Sequence, residues 1–164
     1  MKYPILIIVC TFAFQIKAQL IEHIPIKNLS SKPIIQVTVN GKKCNFLVDT
    51  GADISIFNTS RLKKFHLEAS KIYGKHLAIG AHGHTTEVVK VSNVKISLTE
   101  NIHLSEIYGM NIDKVSMSIH EKTSIRVDGI LGSDMLIKYR GIIDYHSRQI
   151  TLIDNKWKKE LAMK

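Results

Sequence analysis

Three apolar residues, Phe46-Leu47-Val48, run directly into Asp49-Thr50-Gly51-Ala52-Asp53, and no other stretch constrains the chain as tightly. Leu47 and Val48 predict a buried strand. Asp49 is therefore expected at the edge of a core, where an ionised carboxylate needs partners or a shifted pKa. Thr50 supplies a hydroxyl for local hydrogen bonding, and Gly51 lets backbone approach a carboxylate or a bound peptide closely. Upstream, Ile34 to Val39 alternates β-branched residues with Gln36 and Thr38, and Asn40-Gly41 is a two-residue hairpin signal. That hairpin feeds a strand over Cys44 to Val48 and sets the register that delivers Asp49 to its end.

A second block follows at Asp128-Gly129-Ile130-Leu131-Gly132-Ser133-Asp134-Met135-Leu136. Ile125 to Val127 and Ile130-Leu131 read as strand, ended by Gly132. Ser133 is placed to cap a helix over Asp134 to Tyr139, closed at Arg140-Gly141. Ile142-Ile143-Asp144 and Ile150 to Ile153 then predict a hairpin around His146-Ser147-Arg148. The D-T-G-A turn after a hydrophobic strand resembles that of the retropepsin-like and pepsin-like aspartic peptidases, and the second block follows in the order found in the retropepsin-like enzymes. The resemblance covers roughly residues 30 to 154. It is similar in layout to single-domain retropepsin-like bacterial proteins and to the protease domain of the DNA-damage-inducible type, whose helix also leads into a terminal hairpin.

The resemblance implies an all-β, retropepsin-like acid-protease barrel with one short helix near the C-terminal end, active as a homodimer. It makes Asp49 the catalytic acid and Thr50, Gly51 and Ala52 the rest of the active-site turn, with Thr50 tying two loops together across a twofold axis. Only one D-T-G occurs in the chain. Hydrolysis of this kind uses two carboxyl groups around one water, so the second must come from another copy. Asp53 and the backbone beside it would hold an extended peptide, and a hairpin bearing Ile79-Gly80-Ala81-His82-Gly83 would cover it. Where Ser133 stands, retropepsins often carry an Arg that pairs with the counterpart of Asp53. Arg126 and Arg140 are the other partners available to Asp53 here.

The remaining segments read as strands. Ile24 to Asn28 contains Pro25, which suits an edge. Ile54 to Phe57 precedes a helical turn through Phe65 that Asn58, Thr59 or Ser60 could cap. Leu77 to Thr86 is the covering hairpin; Val88 to Leu98 and Ile102 to Ile107 alternate; Asn111 to Ser118 leads into the second block.

With 164 residues, 45% of them hydrophobic, the chain is sized for one core. Residues 1–18 read as a signal peptide: Lys2, an apolar run from Ile5 to Phe14, and Ala18 before the cut, an uncleaved anchor being the other reading. Export to the periplasm or the exterior follows. Residues 19–29 form an N-terminal segment, 30–154 the protease domain and 155–164 a basic tail. Losing Lys2 and Lys17 with the signal lowers the formal charge from +9 to +7. Dispersed lysines of this kind mean a solvated surface, compatible with weak association to anionic envelope surfaces, whereas nucleic acid is not expected as a partner of an exported chain. Cleavage leaves Cys44 alone, which excludes an internal disulfide, and no His and Asn pattern accompanies it as in a cysteine peptidase.

The other acids and histidines fit structural roles. Asp128 is expected in a turn and Asp134 in the first turn of the helix, where it meets the helix dipole. His82 and His84 have metal-like spacing with His76 and His103 as further candidates, but no Cys or acidic cluster completes a ligand set. No metal or cofactor is therefore expected. The alternative to an enzyme is a non-catalytic peptide- or partner-binding module on the same fold.

Overall fold

The structure is a computed structural model and describes residues 20–28, 32–72, 77–79 and 85–154. The expected signal peptide and basic tail lie outside the described residues, as does the hairpin tip Gly80 to His84. Strand β1 (Leu20–Asn28) is longer than the sequence pattern indicates. It is an inner strand, not the edge expected from Pro25. Leu20 to Pro25 pair antiparallel with β14 (Gln149–Asp154), and Ile26 and Asn28 pair with β2 (Ile34–Val39). Pro25, which has no N–H to donate, sits where β1 changes partner.

Asn40 and Gly41 both take left-handed backbone, φ 47° and 78°. This is the conformation a two-residue hairpin requires. The turn joins β2 to β3 (Lys42–Val48) in a register running from Val39 opposite Lys42 to Ile34 opposite Leu47. Phe46, Leu47 and Val48 are all buried, as the apolar run predicts. After the acidic turn comes β4 (Ile56–Asn58), two residues later than expected at its start. Asn58 then caps a 3₁₀ turn at Thr59–Arg61 by accepting the Ser60 N–H, and α1 (Leu62–Phe65) follows.

The middle of the chain is β5 (Glu68–Lys71), the hairpin β6 (Leu77–Ile79) and β7 (Thr85–Glu87), β8 (Val89–Ser92), β9 (Ile96–Ser97), β10 (His103–Leu104) and β11 (Ile107–Met110). Next comes α2 (Asp113–Thr123), a helix of 11 residues where the sequence reading placed only a connection. Its signal is faint because only Ser116 and Ile119 are buried, so no apolar stripe marks it. The start is nevertheless written locally: the Asn111 side chain accepts the Asp113 N–H at 2.9 Å.

In the second block, strand β12 covers only Gly129–Leu131, and Ile125 to Val127 are not strand. Helix α3 (Ser133–Lys138) and the hairpin of β13 (Ile142–Asp144) and β14 (Gln149–Asp154) follow as expected. The all-β class therefore holds: α1 is the helical turn expected through Phe65, α3 the helix expected near the C-terminal end, and α2 the one added. The main sheet runs β13-β14-β1-β2-β3-β12-β4-β11-β8-β5, with β9 and β10 attached beside β2. Among the described residues its two ends do not pair, so the barrel is open. At its centre β3 and β12 lie parallel, Phe46 beside Gly129 and Val48 beside Leu131, and β12 pairs antiparallel with β4.

A buried polar clamp ties α2 to this centre. Asn58, 0% exposed, accepts hydrogen bonds on Oδ1 from the N–H groups of Ser60 and Ile112, and its Nδ2 donates to Asp113 at 2.9 Å. Asp128 is not the turn acid expected. It is buried, accepts from Arg61 Nε at 3.0 Å and takes the Asn45 N–H on its other oxygen. The reason is local: its backbone carbonyl receives the Asn58 N–H and its own N–H bonds the Asn45 carbonyl, so the residue is stitched between β3 and β4.

Replacing Asn58 with Ala strands the Ile112 N–H and removes a donor from the Asp113 carboxylate. A loss of about 2–3 kcal/mol in urea unfolding is expected at neutral pH. Hydrogen bonds from Ser60 and then Asn58 hold the Asp113 carboxyl below its usual range. A depressed folded-state pKa gives stability that is present above the unfolded value, about pH 4, and lost as pH falls through the folded value. The difference between wild type and Asn58→Ala should accordingly shrink on acidification. A difference that is flat with pH would separate Asp113 from the clamp.

Candidate active site

Asp49 stands one residue past β3, with its N–H donating to the Leu131 carbonyl at 3.0 Å. The parallel pairing of β3 and β12 thus continues to the carboxylate itself and fixes where it emerges. Its Oδ1 accepts the Gly51 N–H at 3.1 Å, and its backbone carbonyl accepts the Ala52 N–H at 3.1 Å. Together these bonds close a tight turn. A Cβ on Gly51 would meet Asp49 Oδ1 at 3.4 Å, an ordinary van der Waals contact.

The turn brings Asp49, Thr50, Gly51, Ala52 and Asp53 onto one projecting loop, with Thr50, Gly51 and Asp53 exposed and Asp49 partly so. The Thr50 hydroxyl and the Asp53 carboxylate find no side-chain partner among the described residues, and neither Arg126 nor Arg140 forms an ion pair with Asp53. Ser133, in the position where retropepsins often carry an Arg, does not cap α3 as expected. Its hydroxyl donates to the Ala52 carbonyl at 3.0 Å, and its N–H bonds the same oxygen at 2.8 Å. The segment that would have received a side-chain ion pair is held by a double hydrogen bond to backbone instead.

Behind the loop lies a relay that the sequence reading missed. The Gly132 N–H donates to Ser55 Oγ at 2.9 Å, and the Ser55 hydroxyl donates to Asp134 Oδ1 at 2.6 Å. Asp134 Oδ1 also accepts the Met135 N–H in the first turn of α3, the position predicted for it. Ser55 carries no sequence pattern of its own; only its place shortly after Asp49, with a helix-starting acid downstream, hints at the pairing. Gly132 is required here because a Cβ would lie 2.7 Å from the Ala52 carbonyl oxygen and from the Ile54 carbonyl carbon. Lys32 was also missed: its Nζ lies 3.6 Å from Asp49 Oδ2, with both side chains partly exposed. Such a pair contributes little to stability.

β6 and β7 pair antiparallel, from Leu77 opposite Glu87 to Ile79 opposite Thr85, within the segment expected to form a hairpin. Gly80, Ala81, His82 and Gly83 lie outside the described residues. Cys44 is 2% exposed and its thiol is pushed up to about 12, by burial first and by the charge of Asp128 second. A thiol so protonated is no nucleophile at neutral pH. Among the described residues, no group of three or more His, Cys, Asp or Glu side chains is arranged to hold a metal ion.

An open β-sheet that ends one central strand in an acidic turn, with a glycine and a short helix packed behind it, defines an acid-protease type of architecture. Residues 35–135 match the family described as aspartyl protease, and the chain belongs to this family. The matched region takes in both the Asp49 turn and the start of α3. Similar solved structures include the EIAV protease complexed with the inhibitor HBY-793, at 24% identity and TM-score 0.48, covering 67% of this chain and 89% of that one. A retropepsin-like aspartic protease from Rickettsia conorii is 16% identical with TM-score 0.47, covering 83% and 93%. The retroviral protease-like domain of Ddi1 from Leishmania major is 17% identical with TM-score 0.49, covering 76% and 89%.

Proposed function

We propose that the protein is an aspartic endopeptidase that works as a homodimer, each copy supplying one Asp49 to a shared water. The observation that carries this reading is the projecting turn. Its own chain engages the Asp49, Gly51 and Ala52 N–H groups and one carboxylate oxygen, but leaves the Thr50 hydroxyl and the Asp53 carboxylate exposed and without a side-chain partner among the described residues. Membership in the aspartyl protease family supports hydrolysis of peptide bonds.

Two carboxyl groups a few Å apart cannot both ionise cheaply, so the pair shares one proton. The ionised member takes a proton from the water as it attacks the peptide carbonyl. The protonated member donates to the carbonyl oxygen; as the C–N bond of the tetrahedral species breaks, the carboxyl that took the water's proton gives it to the departing amine, and the other regains its proton as the new carboxyl forms. Thr50 of each copy bridges to the opposite turn, and the backbone from Gly51 to Asp53 pairs with the extended substrate as an added strand. The hairpin of Ile79, Gly80, Ala81, His82 and Gly83 closes over it and excludes water. Residues 1–18 direct export, so the substrates are peptides or proteins of the cell envelope or exterior.

Apolar surface for self-association is available on the terminal strands and α3. Ile21, Ile137, Ile142 and Tyr145 are all more than half exposed, and β13 is an unpaired edge among the described residues. Cleavage per chain should fall on dilution in parallel with the dimer fraction measured by sedimentation equilibrium. A protein that sediments strictly as a monomer and still cleaves peptides would refute the shared site.

A further inference from the structure

The end of the molecule opposite Asp49 gathers positive charge. Asn40 is the hub: its Nδ2 donates to the carbonyls of Phe65 and Asn93, its Oδ1 accepts the Lys95 N–H, and its N–H bonds the Lys95 carbonyl. These bonds draw together the β2–β3 turn, the end of α1 and the segment before β9. Lys42 adds a further tie, with its Nζ donating to the Lys64 carbonyl at 2.8 Å and lying 2.9 Å from His66 Nε2. The three segments, residues 39–46, 59–67 and 92–98, contain Lys42, Lys43, Lys63, Lys64 and Lys95 and no Asp or Glu. All five lysines are exposed and none has a carboxylate partner among the described residues. Arg61, the one arginine here, is turned inward to Asp128.

We infer that this basic pole docks the protein onto an anionic lipid surface, leaving the Asp49 turn facing away. Strand β3 runs from Lys42 to Val48, which separates pole and turn by roughly 20 Å at the rise of an extended chain. Lipid suits the pole better than nucleic acid. Lysines act as point charges attracted to a plane of negative charge, whereas phosphate forks need arginine and base stacking needs exposed rings. Phe46 and Phe65, the aromatic residues of the three segments, are both buried. This inference stands apart from the proteolytic reading, since vesicle binding is measured without substrate.

The test is co-sedimentation of the full chain with phosphatidylcholine vesicles, with and without phosphatidylglycerol, at low and high salt. Vesicles of phosphatidylcholine alone set the baseline for any apolar insertion. Binding that needs phosphatidylglycerol and weakens with salt is expected. The triple variant Lys43→Gln/Lys63→Gln/Lys95→Gln removes side chains that make no hydrogen bond among the described residues, and should melt like wild type. It should lose binding by roughly a hundredfold, about fivefold per lysine. The charge-matched control Lys27→Gln/Lys114→Gln/Lys122→Gln should lose only a few-fold. Equal losses in the two triples would show that net charge alone acts. Retained binding in the pole variant would place the attraction elsewhere, for instance in the C-terminal lysines. Either result overturns the inference, as does an absence of phosphatidylglycerol dependence or tighter binding to mixed-sequence duplex DNA than to the vesicles at the same salt.

Discussion

Replacing Asp49 with Asn is expected to leave the chain folded and to reduce peptide cleavage by roughly 10³-fold or more, because an amide can neither take the proton from water nor donate one as an acid. The fold should tolerate the change. Asp49 Oδ1 accepts the Gly51 N–H, an interaction the Asn oxygen reproduces, and Oδ2 meets only the half-exposed Lys32. Thermal unfolding should therefore stay within about 0.5 kcal/mol of wild type. Mixing gives a sharper test of the shared site. If wild-type chains and Asp49→Asn chains exchange freely in equal amounts, about a quarter of the dimers carry two aspartates, and activity should fall to that fraction. A mixture that keeps half the activity would mean that each chain works alone. Full activity in the pure variant would remove Asp49 from the chemistry altogether.

What the sequence shows of this site is its local part. The Asp49 turn is legible because every element of it is contiguous: an apolar strand to bury, a carboxylate to emerge, a glycine whose N–H reaches back to it. The Asn40-Gly41 hairpin and the β13–β14 hairpin are legible for the same reason, since each is set by a few neighbouring residues. The supports behind the turn are not contiguous. Ser55 and Asp134 are 79 positions apart, as the relay that joins them shows, and nothing in either residue's surroundings announces the other. Asp128 misleads because an acid beside a glycine looks like a turn; its burial depends on Arg61 and Asn45 arriving from other segments. Helix α2 escapes because its apolar residues Val115, Met117 and Ile119 fall at every second position, and Val115 and Met117 are exposed, so no helical apolar stripe is there to read. The closing of the barrel is an inference by resemblance, and strand pairing at β13 and β5 determines otherwise.

Gly129 is the position where one added carbon should cost most stability. A Cβ there would fall 1.5 Å from Phe46 Cε1 and 2.2 Å from Cδ1, which is inside the ring's own volume. The ring has nowhere easy to go: Phe46 is 1% exposed and meets Phe57 edge-on at 6.2 Å, and Phe57 in turn meets Phe65 at 5.3 Å. Gly129 and Phe46 are also direct partners in the β12–β3 ladder, so backing the strand away would break the pairing that carries Asp49. Overpacking usually costs about 1–3 kcal/mol, and an overlap this deep should reach about 3 kcal/mol or more for Gly129→Ala. Shortening the opposing ring separates this cause from a backbone effect. Phe46→Leu alone should destabilise by leaving a void, yet combined with Gly129→Ala it should recover part of the loss, because the two changes exchange volume across one contact. Gly132→Ala should behave differently. Its Cβ meets the backbone of Ala52 and Ile54, not a side chain, so no second substitution can clear the space, and cleavage should suffer through displacement of the Asp49 turn. If Gly129→Ala melts like wild type, or if Phe46→Leu deepens its defect additively, the close approach of β12 to the Phe46 ring is not what makes glycine necessary there.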